Sequence, residues 1–119
     1  MSRTSCERLA DILDRIAGAG AAEARLASAE QEQDHELVQI AFDAVLYDLL
    51  VIGEAIKSIP ADWRQLHPEV PWSDAVGMRD ILAHQYFRIR SDVVRSTLDA
   101  PLRALERACE RLIQDHCSS

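Results

Sequence analysis

The chain has 119 residues, 48% of them hydrophobic, and it carries a net charge of −7. This length and apolar content predict one domain over residues 1–119 with a buried core, which excludes disorder and leaves little room for a second domain. The acidic balance argues against a protein that binds polyphosphates non-specifically, since such proteins are usually basic, but it leaves a small local basic site open.

The first predicted helix begins at Thr4 or Ser5, and Glu7 lies three residues after Thr4 as in a capping box. Apolar residues then follow with the spacing of an amphipathic helix: Leu9, Ile12, Leu13 and Ile16. Gly18 and Gly20 predict the end of this helix. Residues 21–33 are rich in Ala and Glu with weak periodicity, and they form either a short helix or a mobile connection.

The second predicted helix, roughly 35–59, is the most apolar segment, and Asp34 can cap it. Because apolar residues lie on all its sides, we expect this helix at the centre of the fold or at an interface. Its longest apolar-rich run, residues 44–56, is interrupted by Asp48 and Glu54 and is too short and too charged to span a bilayer. Its polar residues Tyr47, Asp48 and Glu54 either line a cleft or serve as solvated or capping groups.

Prolines divide the rest of the chain into shorter helices. Pro60 suits the first turn of a short helix over residues 61–66, and an irregular connection follows at 67–72 because residues before proline avoid the helical region. A further helix begins at Ser73 or Asp74.

The last third of the chain is predicted to break near residues 86–90, to restart at Ser91 as a cap, and to be kinked or split by Pro101. Trp63 and Trp72 are expected to anchor the preceding connection and not to stack on bases. No alternating strand pattern occurs anywhere, so the predicted fold is an all-α bundle of about five helices.

The three cysteines, Cys6, Cys109 and Cys117, are odd in number and widely spaced, which predicts plain thiols without a disulfide framework. The chain opens on a charged amphipathic stretch and not on a signal peptide, so we expect a reduced, cytoplasmic protein. The histidines show no metal-ligand spacing and no Gly-rich phosphate loop is present, so we expect no metal and no cofactor such as ATP.

Charge is unevenly distributed along the chain. Residues 1–75 include 6 basic and 14 acidic residues, a net charge of −8, whereas residues 76–119 include 7 basic and 6 acidic residues, a net charge of +1. The stretch 79–95 has a net charge of +2. The one locally basic stretch therefore lies in the second half of the chain.

The candidate chemistry lies in the motif segment, residues 79–86, which reads RDILAHQY. The planar guanidinium of Arg79 suits a phosphate group, and the imidazole of His84 can exchange protons near neutral pH. Asp80 and His84 are four residues apart and share a helix face, where Asp80 can fix the tautomer of His84 or raise its basicity. The competing interpretation is structural, because an Arg and a His on a helix are usually surface charge and a capping group.

Arg79 and His84 are five residues apart, which turns them about 140° from each other on an ideal helix. One copy of the helix therefore directs the two side chains poorly onto a single phosphate. Two copies packed across a two-fold axis would bring the groups together, and we hypothesise a symmetric homodimer with a composite cleft.

The pattern Arg79-x4-His84-x-Tyr86 resembles the signature of HepT-like toxins in the HEPN superfamily. Residues 43–57 also resemble the central helix of that family, with its Ile-Gly-Glu-Ala core, and residues 68–72 followed by 78–80 resemble its connection into the motif helix. The ordered set of blocks covers about residues 37–105, most of the chain.

The resemblance implies a helical bundle that homodimerises through its motif helices and cleaves RNA without a metal ion. His84 would transfer protons as the RNA 2′-OH attacks the neighbouring phosphorus, Arg79 would stabilise the extra negative charge, and Asp80 would fill the polar position after the Arg. The resemblance further implies a partner, a minimal nucleotidyltransferase antitoxin of the MntA type, which neutralises the toxin by transferring AMP to the motif tyrosine, here Tyr86.

Two positions depart from the family pattern: Gln85 stands where an acidic residue is common, and Arg88 where a glycine is common. Arg88 lacks the freedom of glycine to take positive φ, but together with Arg90 it adds positive charge that would favour contact with RNA. The rival interpretation is a non-catalytic helical dimer that acts as a binding module or scaffold for the nucleotidyltransferase, because a fold does not carry function with it.

Overall fold

The computed structural model describes residues 3–84 and 91–117. Six α-helices and no β-strand occur in this part of the chain. They are α1 (Ser5–Gln31), α2 (His35–Ile56), α3 (Ala61–Gln65), α4 (Trp72–His84), α5 (Ser91–Thr97) and α6 (Ala100–His116). The predicted all-α fold is confirmed, and the split of the final helical region into α5 and α6 accounts for the sixth helix. The break expected at residues 86–90 lies outside the described residues.

The first helix begins as predicted. The Thr4 hydroxyl accepts a hydrogen bond from the backbone N–H of Glu7, and the Glu7 carboxylate accepts one from the backbone N–H of Thr4. Both hydrogen bonds of the capping box are therefore present. The backbone hydrogen bond from Thr4 lowers the pKa of the Glu7 carboxyl.

The predicted end of α1 is wrong, because the helix runs through Gly18 and Gly20 without a break. A glycine inside a helix costs about 1 kcal/mol relative to alanine. The second half of α1 offsets this cost by burying Leu26 and Ala29. Gly18 also leaves room for a neighbour, since a Cβ there would lie 3.0 Å from Oδ2 of Asp48.

A tight turn joins α1 to α2, and Gln33 adopts a left-handed φ of 57° in it. The backbone N–H of Asp34 donates to the carbonyl of Ala29 at 3.0 Å, and that of Gln33 donates to the carbonyl of Glu30 at 3.2 Å. These two bonds form a Schellman motif. Asp34 then caps α2 as predicted, by accepting from the backbone N–H of Leu37. The short connection makes α1 and α2 antiparallel.

The second helix lies at the centre of the fold, as its apolar character predicted. It packs along α1 and against α4, while α6 packs on α1 and α5 on α6. The core is one connected cluster, whose largest fully buried side chains include Leu9, Ile12, Ile52, Ile56 and Leu112. Across the described ranges, no helix combines the length and apolar character that crossing a membrane requires.

Asp48 is the one charged residue that is buried among those described. It faces α1, where Nη1 of Arg15 donates a hydrogen bond to Oδ1 of Asp48 at 3.0 Å. Burial raises the pKa of the Asp48 carboxyl, and the Arg15 guanidinium opposes that shift. The expected roles of Asp48 as a cleft, solvated or capping group are therefore wrong, because its carboxylate connects α1 to α2.

Both tryptophans anchor the connection into α4, as predicted. The indole N–H of Trp72 donates to the backbone carbonyls of Arg64 and His67, at 3.0 Å in each case. The ring of Trp63 stacks on that of His116 with 4.4 Å between centroids. These contacts tie the start of α4 to α3 and tie α3 to the end of α6.

The final helical region is split at Pro101, as predicted. The fifth helix ends at Thr97, and α6 begins at Ala100 with Pro101 in its first turn, where proline needs no hydrogen-bond partner for its nitrogen. Arg95 on α5 binds the carboxylate of Glu30 through both terminal nitrogens of its guanidinium. This pair fastens α5 to the end of α1.

The expectation of three plain thiols is wrong for two of them, because Cys6 and Cys117 form a disulfide with 6.0 Å between their Cα atoms. The packing of α6 along α1 brings the two together across a sequence separation of 111, and spacing along the chain carries no signal of that contact. Closure of so long a loop stabilises a fold by about 2–4 kcal/mol. Cys109 keeps a free, buried thiol, and burial raises its pKa to about 12.

Candidate functional site

The motif segment begins on α4, which carries Arg79, Asp80 and His84, the last being its final residue. Asp80 and His84 are both exposed, whereas Arg79 is only partly so. Gln85 lies outside the described residues, and so do the predicted site residues Tyr86, Arg88 and Arg90. The site is therefore described from the three residues on α4 and from what surrounds them.

The α4 backbone closely approaches α2 at Gly53. A Cβ on Gly53 would lie 2.3 Å from Cβ of Arg79 and 2.9 Å from the carbonyl oxygen of Ala75, both shorter than real contacts. Glycine is therefore required for α2 to lie against this turn of α4. On the next turn of α4, the buried Leu82 holds the helix on the core. These contacts place the stem of Arg79 directly on α2.

Two carboxylates flank the guanidinium of Arg79. Its Nη1 donates a hydrogen bond to Oδ1 of Asp80 at 3.0 Å, and its Nε lies 2.8 Å from Oε2 of Glu54 on α2. The contact with Glu54 is an ion pair without hydrogen-bond geometry, because Nε stays a buried donor without an acceptor. The Arg79 side chain is 23% exposed, so its charged end is held in orientation at the surface.

His84 points its imidazole to solvent at the end of α4. Asp80 uses its carboxylate on Arg79, and no hydrogen bond or ion pair to His84 occurs within the described residues. The imidazole is thus available to a group from outside this part of the chain. Arg79 faces α2 while His84 faces away from the core, in agreement with their five-residue separation.

A surface cleft of about 260 Å³ opens beside Arg79, where α1, α2 and α4 meet. Its lining residues are Arg8, Leu50, Val51, Glu54, Arg79 and Ala83. Sequence reasoning missed Arg8, and the chain holds little signal for it. Asp11, three residues further along α1, is the expected partner of Arg8, but the structure pairs Asp11 with Arg3.

Exposed apolar side chains lie on both of the helices, α2 and α4, that hold Arg79 and its partners. Tyr47 is 58% exposed and lies in a second shallow cleft, of about 250 Å³, together with Leu50 and Leu82. Ile40 on α2 and Ile81 on α4 are also exposed. Tyr47 thus lines this second cleft while it is largely exposed to solvent, and Glu54 lines the cleft beside Arg79 and contacts that residue.

Arg79 and His84 offer two different chemical groups on different sides of α4. Arg79 provides an oriented cation for an anionic group, and His84 provides a titratable group for proton transfer. Their five-residue separation turns the two side chains about 140° apart on an ideal helix, so a single α4 directs them poorly onto one atom. Across the described residues, no group of His, Cys, Asp or Glu is arranged to hold a metal ion.

A family profile described as "Ribonuclease HepT-like" matches residues 4–112 of the chain. A relative from Thermococcus cleftensis, named "Probable ribonuclease HepT", is 42% identical over 69 residues, which cover 58% of this chain and 63% of the relative. A "Putative RNase" from Caldanaerobacter subterraneus subsp. tengcongensis is 35% identical over 71 residues, 60% of this chain and 63% of the relative. The matched stretch thus spans less than two thirds of each relative. No solved structure matches the chain significantly.

Gly53→Ala should lower the free energy of unfolding by about 1–3 kcal/mol, because the added methyl group overpacks the α2–α4 contact against backbone. Urea denaturation followed by circular dichroism measures this change. Gly20→Ala is the matched control, since a Cβ at Gly20 meets no heavy atom within 4 Å and should stabilise α1 by up to about 1 kcal/mol. Equal stability of the two variants would contradict the packing constraint.

Proposed function

This chain belongs to the HepT-like ribonuclease family of the HEPN superfamily, and from that premise we propose that it is a metal-independent endoribonuclease, the toxin of a toxin–antitoxin pair. The observation that best supports the proposal is the pairing on α4 of an oriented Arg79 with an exposed, available His84. We place its action in the cytoplasm, where its RNA substrate is made and where the Cys6–Cys117 disulfide is expected to be reduced, and treat residues 1–119 as one catalytic domain.

The proposed reaction is attack of a ribose 2′-OH on the adjacent phosphorus. The bond from the 2′-oxygen to phosphorus forms and the bond from phosphorus to the 5′-oxygen breaks, while one proton leaves the 2′-OH and another reaches the 5′-oxygen. His84 carries these protons, because imidazole exchanges them near neutral pH. Arg79 stabilises the negative charge that builds on the phosphate oxygens, and Glu54 and Asp80 keep its guanidinium in place.

We further propose that two copies of the chain form a homodimer through their α4 helices. Support comes from the divergent directions of Arg79 and His84, which a two-fold axis converts into a shared cleft. The exposed side chains of Ile40, Tyr47 and Ile81 on α2 and α4 supply apolar surface for such a contact. Each of the two equivalent sites then combines Arg79 of one copy with His84 of the other, and that imidazole accepts the proton of the 2′-OH and supplies one to the leaving oxygen.

Control of the toxin is proposed to fall to a nucleotidyltransferase antitoxin of the MntA type. It would transfer AMP from ATP to the phenol oxygen of Tyr86, so that a bond from oxygen to the α-phosphorus forms and pyrophosphate leaves. The added phosphate would place negative charge two residues from His84 and repel the RNA backbone. Arg88 and Arg90, in the same locally basic stretch, are proposed to contact that backbone.

His84→Ala should reduce the cleavage of single-stranded RNA by at least about 100-fold, because it removes the proton-transfer group. Cleavage is measured with the purified protein in the presence of EDTA, where the wild type should retain full activity. His35→Ala, which removes another exposed histidine from the start of α2, is the matched control and should cleave like the wild type. Equal activity of the His84 and His35 variants would favour the non-catalytic scaffold.

A composite dimer site can be tested by mixing two inactive variants. Arg79→Ala and His84→Ala, unfolded and refolded together, should recover about one quarter of the wild-type activity, because half the dimers then contain one intact site of two. RNA cleavage before and after mixing measures the recovery. A mixture as inactive as its components would show that Arg79 and His84 act within one chain.

Co-expression with the nucleotidyltransferase partner and ATP should add the mass of one AMP to each chain, as read by intact-protein mass spectrometry. Tyr86→Phe should abolish the addition, since it removes the accepting oxygen. The chain contains two tyrosines, so Tyr47→Phe is the matched control and should still be modified. Modification that persists in Tyr86→Phe, or none in the wild type, would remove this part of the proposal.

A further inference from the structure

The cleft beside Arg79 contains the only two buried side-chain polar atoms in the described part of the chain that lack a hydrogen-bond partner. They are Nε of Arg8 and Nε of Arg79, and both residues line this cleft. Buried donors in native proteins almost always find an acceptor, so an orphaned donor indicates a strained contact or a ligand. Nε of Arg79 lies 2.8 Å from Oε2 of Glu54, so a carboxylate already faces it, whereas none of the described carboxylates pairs with Arg8. An unpaired guanidinium beside that of Arg79 in one open cleft suits an anion as the ligand.

Arg8 differs from the two arginines nearest to it along the chain. Arg3, just before α1, pairs with Asp11, and Arg15 on α1 pairs with the buried Asp48. Arg8 is partly buried on the same helix, but none of the described residues offers it an ion pair or a side-chain hydrogen bond. Its charge therefore has no paired carboxylate, although residues 1–75 have a net charge of −8.

The carboxylates around Arg79 leave too little positive charge there for a phosphate to bind without a second cation. Arg79 lies between the carboxylates of Glu54 and Asp80, so these three groups together carry a net charge of −1. A phosphate approaching them alone meets more negative than positive charge. Arg8 on the facing helix brings the sum to zero and presents a second planar fork of N–H donors, which suits phosphate oxygens.

We propose that Arg8 and Arg79 together bind one phosphodiester group of a single-stranded RNA, with Arg8 as a substrate-binding residue contributed by α1. The inference rests on the proposed ribonuclease function and adds to it a residue outside the motif segment. Glu54 then competes with the phosphate for Arg79, because its carboxylate faces Nε of Arg79 without a hydrogen bond.

The test measures RNA binding in a His84→Ala background, so that the RNA stays intact. Fluorescence anisotropy with a short labelled single-stranded RNA gives the affinity at several salt concentrations. Adding Arg8→Gln should weaken binding about tenfold, because a charge-assisted contact is lost. It should also make the slope of log affinity against log salt shallower by about 0.7, the value for one phosphate contact on a single strand.

Arg25→Gln is the matched control, because it removes the same charge from an exposed position on the same helix, away from the cleft. It should leave both the affinity and the salt slope unchanged. Arg8→Lys keeps the positive charge but lacks the paired, planar N–H donors of a guanidinium. It should therefore show the salt slope of the His84→Ala parent but only part of its affinity for RNA. Circular dichroism checks each fold, and Arg8→Lys decides the question if Arg8→Gln does not fold.

The outcomes separate this inference from the proposed function. If the His84→Ala parent binds RNA and Arg8→Gln behaves like Arg25→Gln, Arg8 is not a binding residue while the ribonuclease proposal stands. If Arg8→Gln weakens binding with an unchanged salt slope, the phosphate contact is likewise overturned. If the parent does not bind RNA at all, both the inference and the proposed function fail.

Discussion

Gly53 lets the backbone of α2 lie against the stem of Arg79, and the rest of the site depends on this contact. The missing side chain brings Glu54, the next residue on α2, within 2.8 Å of the Arg79 guanidinium. It also brings α4 close enough to α1 for Arg8 and Arg79 to line one cleft. A single packing constraint between two helices therefore positions charged groups from three.

The electrostatics of the chain follow from how its arginines are used. Three arginines each pair with a carboxylate elsewhere in the fold: Arg3, Arg15 and Arg95. These pairs connect different parts of the fold, and the three guanidinium groups are therefore not free to bind an anion. The exposed pairs of Arg3 and Arg95 contribute little stability, but all three pairs neutralise positive charge locally. The proposed binding of RNA is then expected at the cleft and at the basic stretch 79–95, since the overall charge of −7 repels a polyanion elsewhere. An acidic protein can in this way act selectively on an acidic substrate.

The sequence predicted the structure correctly where residues close together along the chain determine it. The capping box at Thr4 and Glu7, the cap at Asp34 and the split at Pro101 are decided by neighbouring residues, and all were predicted correctly. The continuation of α1 through Gly18 was not, because it depends on burial against α2 and on the space that Asp48 requires.

Long-range contacts were the part that sequence reasoning could not supply. The motif segment was located from residue chemistry, but the pairing of Glu54 with Arg79 and the exposure of Arg8 in the same cleft arise from helix packing. The bond between Cys6 and Cys117 belongs to the same class, since only the packing of α6 on α1 brings the two ends together.

That bond also sets how the molecule responds to mechanical force. Cys6 lies in the first turn of α1 and Cys117 directly follows α6, so the bridge encloses nearly every helix in a covalent ring. Tension applied to chain segments beyond the two cysteines passes through the sulfur atoms and bypasses the helices. The oxidised bundle therefore bears no load, and its hydrogen bonds and core come under tension only after the bridge is reduced.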